Sequence, residues 1–368
     1  MNSSWPCWRS KIALCPVWVI WLVLLALPGC EKEKPPKPPA AADAVKPEPK
    51  PAPAQKTAGA LSGAWEPAVR TSLEKLIAER GKGGAAYDAA KPPVAVFDFD
   101  NTCIRGDIGR AFFDFMVTSG KIQFDEAVFA TLPADKRPAV EASWKAVQAL
   151  PADKRADSRE LRSLRKQMHQ IYWSLCSGTE SDKCFPWQVR FYAGHTPAEI
   201  EKMGAEVMDA ELKRKMGSEP IRIDDQDASP AITSTGIRIH EEIKELMERL
   251  AGAGFDLWIV SAGPQWVVKG AAHHFPVPPE HVIGMRTRLV DGKLSAEMEP
   301  PATFRQGKVE AIEKHIQRKP VLCAGDSWSD AEMLDHAEHA LLVDRGYLDL
   351  KKRAREKGWW VQPTFPVD

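Results

Sequence analysis

The chain has 368 residues, and its 50 lysines and arginines balance 50 aspartates and glutamates. With no basic block or stripe, that balance argues against nucleic acid as a partner and makes a small soluble molecule the more natural ligand.

In chain order, Met1 to Cys30 opens with Arg9 and Lys11, continues as an apolar stretch from Ile12 to Leu27, and ends Leu27-Pro28-Gly29-Cys30. This pattern reads as a secretory signal (residues 1–30) closing on a segment similar to a bacterial lipobox, with Cys30 the residue to be lipidated. An uncleaved membrane anchor is the alternative, although about 16 apolar residues is short for a span. In either case the remainder is expected to be exported, membrane-anchored and periplasm-facing. Residues 31–60 carry eight prolines among alternating lysine and glutamate. Such a segment cannot bury a core and reads as an extended linker, up to about 3 Å per residue.

Ala64 to Glu79 places Trp65, Val69, Leu73, Leu76 and Ile77 at helical spacing. The run Val94 to Thr102 is an apolar strand that delivers two carboxylates onto its exit loop. Alternation along a strand sends Asp98 and Asp100 to one side, flanking Phe99, so both can meet one substrate. Taken alone, such a pair also fits a helix N-cap or a solvated turn. Asp107 reads locally as the cap of a helix starting at Ile108.

From Asp100 to Ser261 the chain runs about 160 residues, far more than one crossover helix needs, so a separate module is inserted. Three sets within it have helical spacing: Ile108, Phe112, Phe115 and Met116; Leu161, Leu164, Met168, Ile171 and Tyr172; and Glu201, Met203, Val207, Met208 and Leu212. The same insertion gathers Trp144, Tyr172, Trp173, Phe185, Trp187, Phe191 and Tyr192. These either fill a helical core or cage a quaternary ammonium through cation–π attraction. Outside the leader four cysteines remain. Export favours disulfides, and Cys176 with Cys184 would close a short loop, whereas Cys103 and Cys323 read as small buried residues. His273 and His274 read as a helix end without metal-ligand spacing.

Ile237 to Leu250 is predicted as a helix leading into the strand Leu257 to Val260, which ends in Ser261-Ala262-Gly263. That ending offers a hydroxyl and unhindered N–H groups to a phosphate. Val282 to Leu294 is a β excursion with its turn at Asp291-Gly292. Lys308 opens a helical pattern with Val309, Ile312 and Ile316. Val321 to Ala324 is a further strand, ending in Gly325-Asp326-Ser327-Trp328-Ser329-Asp330. Ala340 to Val343 is expected to close the sheet, with the tail beyond Gly346 unassigned.

The order Asp-x-Asp, then Ser, then Lys, then Gly-Asp-x-x-x-Asp, each at a strand or helix end, resembles the haloacid dehalogenase superfamily of phosphatases. The resemblance runs from about Pro93 to Val343 and is closest to the phosphoserine phosphatase branch, with phosphorylcholine phosphatases as near relatives. It implies a Rossmann-like α/β core with a parallel sheet (residues 61–107 and 236–368) and a mostly helical cap (108–235).

The resemblance also implies a nucleophilic Asp98 that forms an aspartyl phosphate, and an Asp100 that serves as general acid and base. Mg2+ would be held by Asp98, the main-chain carbonyl of Asp100 and Asp326, with Asp330 orienting that set. Phosphate oxygens would be met by Asn101, Thr102, Ser261, Ala262 and Lys308; Thr102 alternatively braces the loop or starts a helix. Asp107 and Arg105 match positions that select substrate in that branch. The implied ligand is a small phosphorylated metabolite, phosphoserine or another amino-bearing ester, with phosphorylcholine as the alternative. A non-catalytic lipoprotein that binds phosphate ligands is the reading of another class.

Overall fold

The computed structural model describes residues 60–176 and 183–367. The signal, Cys30 and the linker therefore lie outside the described residues.

A seven-stranded sheet with the order β11-β10-β9-β1-β6-β7-β8 organises the chain. Its strands are β1 (Val94–Phe97), β6 (Asp256–Pro264), β7 (Val282–Val290), β8 (Lys293–Glu299), β9 (Leu322–Gly325), β10 (His339–Asp344) and β11 (Trp360–Pro363). All neighbours pair in parallel except β7 with β8, which are antiparallel. Asp291 and Gly292 both have positive φ at that hairpin, as a tight two-residue turn requires. Central β1 is buried at every residue, which accounts for its unbroken Val-Ala-Val-Phe run, because helices cover both faces of a parallel sheet.

Helices α1 (Pro67–Arg80), α8 (Glu241–Gly252), α9 (Gln265–Ala271), α10 (Gln306–Ala311), α11 (Ala331–His336) and α12 (Leu348–Lys357) supply that cover. The Glu66 carboxylate caps α1 by accepting from the N–H groups of Ala68 and Val69, and the helix buries Val69, Leu73 and Leu76. Strand β1 lies between β6, which follows it in the sheet by a long excursion, and β9. The crevice at the carboxyl ends of these three strands is where such sheets bind ligands.

Between β1 and β6 the chain makes two short strands that pair with each other, β2 (Ile104–Arg105) and β5 (Arg238–Ile239). The two ends of the insertion leave and re-enter through this antiparallel neck. Beyond it stand α2 (Ile108–Thr118), α3 (Glu126–Phe129), α4 (Arg137–Ala149), α5 (Arg159–Cys176), α6 (Cys184–Gln188) and α7 (Pro197–Lys213). A disulfide joins Cys176 to Cys184, linking the end of α5 to the start of α6. Cys103 and Cys323 are free and buried.

Four sequence expectations are corrected. The insertion contains a β-hairpin, β3 (Gly217–Ile221) with β4 (Ala231–Thr235); β4 buries Ala231, Thr233 and Thr235, and as two of these three are threonines while Ile232 faces out, no apolar period of two marks it. The helix expected from Ile237 begins at Glu241, since Arg238 and Ile239 are spent on the neck. Strand β10 does not close the sheet, because the tail forms α12 and adds β11 in parallel. Finally, His273 and His274 have a partner distant in sequence: His274 Nε2 lies 2.9 Å from the Asp209 carboxylate on α7. Among the described residues no helix is long and apolar enough to cross a membrane.

Candidate active site

Strand β1 ends at Phe97, and the turn after it folds around one carbonyl. Phe99 O accepts from the N–H groups of Thr102, Cys103 and Ile104. The Phe99 ring is fully buried, edge-on to Phe275 with centroids 5.7 Å apart. This anchor on the core side leaves Asp98 and Asp100 on the other, as strand alternation requires.

Asp98 Oδ1 accepts from Lys308 Nζ at 2.6 Å, and the same ammonium donates to Asp330 Oδ1 at 2.6 Å. All three side chains are buried. Two glycines permit this packing. A Cβ on Gly307 would lie 1.7 Å from Ala302 O, and one on Gly325 would lie 2.5 Å from Asp330 Cβ, so any side chain would displace Lys308 or Asp330. The second oxygen of Asp330 accepts from the N–H groups of Asp326 and Ser327 and from the Ser327 hydroxyl, at 3.0 to 3.1 Å. With both oxygens engaged, Asp330 is built to orient its neighbours.

Asp326 stands beside Asp98 and Asp330, their carboxylate oxygens lying within 4.8 Å of one another. The Thr102 hydroxyl lies 3.1 Å from Asp98 Oδ2 and 3.4 Å from Asp326 Oδ1. It braces the two carboxylates from a fully buried position in the turn before β2, which fits the reading of a loop brace rather than that of a helix start. Its carbonyl in turn accepts from His240 Nδ1 at 2.9 Å. Arg345 donates to Asp326 Oδ2 at 2.8 Å.

Asp100 Oδ1 accepts from the Ile108 N–H at 2.7 Å, at the first turn of α2. The other oxygen faces Gly263, where an added Cβ would lie 3.3 Å from Asp100 Oδ2 and 3.2 Å from Ser261 Oγ. Only a residue without a side chain keeps that space open. Ser261 Oγ accepts from the Gly263 N–H at 2.9 Å, which leaves its proton free to donate. The Ser261 carbonyl is held by the Thr303 hydroxyl at 2.6 Å. Ala262 lies buried between them on β6.

Asn101 departs from expectation. It adopts φ 61°, its N–H donates to Gly106 O, and its Oδ1 accepts from the Gly106 N–H. The amide foreseen as a phosphate donor is thus spent on closing its own loop. Arg105 is exposed on β2, opposite Arg238 and away from the buried carboxylates, so the structure does not bring it into the site. Asp107 caps α2, accepting from the Arg110 N–H at 2.8 Å.

The charges do not balance. Asp98, Asp100, Asp326 and Asp330 face Lys308 and Arg345, four carboxylates against two cations. Burial lifts Asp98 to about 6, and the charge of Asp330 adds to it against the pull of Lys308. Burial and the neighbouring carboxylates also hold Asp100 and Asp326 well above the usual range. Burial alone would push Lys308 down, but Asp330 and Asp98 more than reverse it. A cluster of hard oxygen donors with surplus negative charge fits a divalent cation such as magnesium.

Above this floor, α2, α5 and the α6 region contribute Tyr172 and Tyr192, both buried. Burial and then the charge of Asp107 raise the Tyr172 phenol. Burial likewise raises Tyr192, with the charge of Asp107 adding to it against the opposing pull of the nearby Gln188 amide. Most of the other aromatic residues are packing. Trp187 stands edge-on to Phe191, Phe113 stacks on Tyr172, and Trp144 packs on Phe124. Trp173 is partly exposed and donates to Ile232 O. His240, Arg345, Thr303 and the Ile108 N–H escaped the sequence reading. None carries a local signal, because each acts on a residue far away in the chain or through its backbone.

A family model described as haloacid dehalogenase-like hydrolase matches residues 95–335. Phosphorylcholine phosphatase of Pseudomonas aeruginosa is 26% identical over 311 residues, covering 75% of this chain and 81% of that protein. Among solved structures, a conserved functionally unknown protein from Anaerococcus prevotii superposes with TM-score 0.68 at 23% identity, covering 81% of this chain and 92% of that one. This likeness bears on the fold. A phosphoserine phosphatase in apo form is also similar, with TM-score 0.35 and 13% identity, covering 71% of this chain and 91% of that one.

Proposed function

The chain belongs to the haloacid dehalogenase-like hydrolases, and from that premise we propose that it is a magnesium-dependent phosphomonoester hydrolase acting on a small phosphate ester with a cationic leaving group. The observation that carries this reading is the buried Asp98–Lys308–Asp330 chain, with Asp100 beside it at the mouth of the same crevice. Asp98 attacks phosphorus and forms an aspartyl phosphate, dividing one hard displacement into two easier ones. Lys308, held between two carboxylates, fixes Asp98 and offsets negative charge near the phosphoryl group.

Asp100 performs the proton transfers. One oxygen is tied to the Ile108 N–H, so the proton resides on Oδ2, which faces the open space at Gly263. Its raised pKa keeps it protonated for donation to the leaving oxygen, after which it accepts a proton from water. The Ser261 hydroxyl and the backbone at Ala262 receive phosphate oxygens, in the space that Gly263 keeps open. Asp98 Oδ2, Asp326 Oδ1 and the Asp100 carbonyl would hold magnesium. When bound, that ion neutralises the like charges of nucleophile and phosphate.

A cationic leaving group is supported by the Asp107 carboxylate and by the buried rings of Tyr172 and Tyr192 beside it, a combination that suits an ammonium. Both the amino-bearing and quaternary forms fit. Likeness to the Pseudomonas aeruginosa enzyme favours testing phosphorylcholine alongside phosphoserine. The test is phosphate release with magnesium from phosphorylcholine, phosphoethanolamine, phosphoserine and glycerol phosphate, whose leaving alcohol carries no charge. Preference for the cationic esters is expected; equal rates on all four would remove the substrate class. No turnover on a broad panel would leave a phosphate-binding lipoprotein. Export and anchoring through Cys30 are part of the proposal, and the Cys176–Cys184 disulfide agrees with an oxidising compartment. Cys30→Ser should release the protein from membranes.

A further inference from the structure

On the far side of the insertion, α7 packs on α9 so closely that neither Gly204 nor Gly270 has room for a Cβ. At Gly270 an added Cβ would lie 2.1 Å from Glu201 O, and at Gly204 2.8 Å from Val267 O. This contact brings Asp209 of α7 against the turn His273–His274 that follows α9. Both Nε2 atoms approach one carboxylate oxygen, Asp209 Oδ1, at 3.3 Å from His273 and 2.9 Å from His274. The ligand atoms of the three residues all lie within 4.8 Å of one another.

Hydrogen-bond arithmetic makes the cluster informative. His273 Nδ1 lies 2.8 Å from the Gly270 carbonyl, so it carries the ring proton. In the neutral ring Nε2 is then a bare lone pair, yet it faces a carboxylate oxygen. The pairing therefore calls for positive charge at that point, which a second ring proton supplies as an imidazolium–aspartate pair and a metal cation supplies as a bridge. An imidazole whose second nitrogen donates to a backbone carbonyl is also the usual arrangement of a metal ligand. Tetrahedral coordination with bonds of about 2.0–2.1 Å has edges of roughly 3.3 Å, the separation between His273 Nε2 and Asp209 Oδ1. His273 borders a cleft of about 410 Å³ that also includes Glu201, Lys269 and Val277, so the site is reached from solvent.

We propose that Asp209, His273 and His274 form a second metal site, for a zinc-class transition ion, that ties α7 of the insertion to the end of α9. Two imidazoles and one carboxylate suit zinc, copper or nickel better than magnesium, which prefers oxygen alone. This separates the site chemically from the carboxylate cluster at Asp98. Lys213 and Lys244 stand near the cluster and hold its affinity down. The ion acts structurally and takes no part in the phosphoryl chemistry.

The test uses the metal-stripped soluble chain with saturating magnesium, titrated with Zn2+ by calorimetry and followed by thermal melting. About one equivalent should bind and raise the melting temperature. His273→Gln, His274→Gln and Asp209→Asn should each weaken binding by about tenfold or more and lose the zinc-dependent rise, with magnesium-supported turnover unchanged. Asp326→Asn should keep the zinc binding and the zinc-dependent rise. Two results overturn the proposal: no zinc bound in the presence of magnesium, or zinc binding that survives the histidine changes and vanishes in Asp326→Asn. Neither result depends on the protein being a phosphatase.

Discussion

The floor of the site and its roof are built on different physics. The floor consists of side chains at the ends of strands and on α10, buried and tied to each other by charge-assisted hydrogen bonds: Asp98 to Lys308, Lys308 to Asp330, Asp330 to the backbone of Asp326. The roof consists of helix faces, where Asp107, Tyr172 and Tyr192 meet by packing of α2, α5 and the turn after α6. Buried side chains tied to one another in this way have one geometry, whereas packed helix faces can change residues without changing the fold. Chemistry therefore belongs to the floor and selection of the leaving group to the roof, and each assignment predicts a different response to mutation.

The largest effect is expected at the nucleophile. Asp98→Asn should lower kcat by about a thousandfold or more on every ester, with the fold intact by circular dichroism; measurable burst kinetics in that variant would remove Asp98 from the reaction. Lys308→Met should cost roughly 3–5 kcal/mol of stability, because it leaves Asp98 and Asp330 buried without their counter-ion. Denaturant unfolding reads the loss, and turnover should fall on all substrates alike.

The unbalanced carboxylates predict a pH effect. Asp98 is raised from 3.8 to about 6 in the fold. Between those values the folded state binds more protons than the unfolded one, so the metal-free protein loses stability as pH rises through this window. About two pKa units correspond to roughly 3 kcal/mol, fully lost above the folded value. Magnesium should accordingly raise the melting temperature strongly at pH 7.5 and little at pH 5. A gain independent of pH would separate the ion from these carboxylates.

Roof changes should be smaller and selective. Asp107→Asn keeps a side-chain oxygen for capping α2 and removes the charge, so KM for a cationic ester should rise by about tenfold with kcat nearly unchanged. Glycerol phosphate should be indifferent. Equal losses on esters with cationic and with uncharged leaving groups would make Asp107 only a helix cap and would erase the division between floor and roof.

Much of the floor was legible because its residues announce themselves locally. An apolar run ending in Asp-x-Asp, a glycine before lysine, and Gly-Asp-x-x-x-Asp after a strand each state a residue type and a place in the chain. Helices such as α1, α2 and α5 were legible from apolar spacing. The hairpin β3–β4 was not, since threonines face inward and give no apolar alternation, and β11 was not, since a four-residue edge strand depends on its neighbour. Arg345 on Asp326 and His240 on Thr102 were equally hidden; a cation or an imidazole in a loop carries no mark of the carbonyl or carboxylate it meets.

What the sequence determined by itself was which groups exist and which local elements carry them, because periodicity and end signals are properties of neighbouring residues. What only the tertiary structure decided was who meets whom. It turned Thr102 toward two carboxylates, spent the Asn101 amide on Gly106, left Arg105 at the surface, and set Asp209 against His273 and His274. Each of these depends on contacts between segments separated by the insertion or packed through side-chain volume, and such contacts are settled only when the whole core closes.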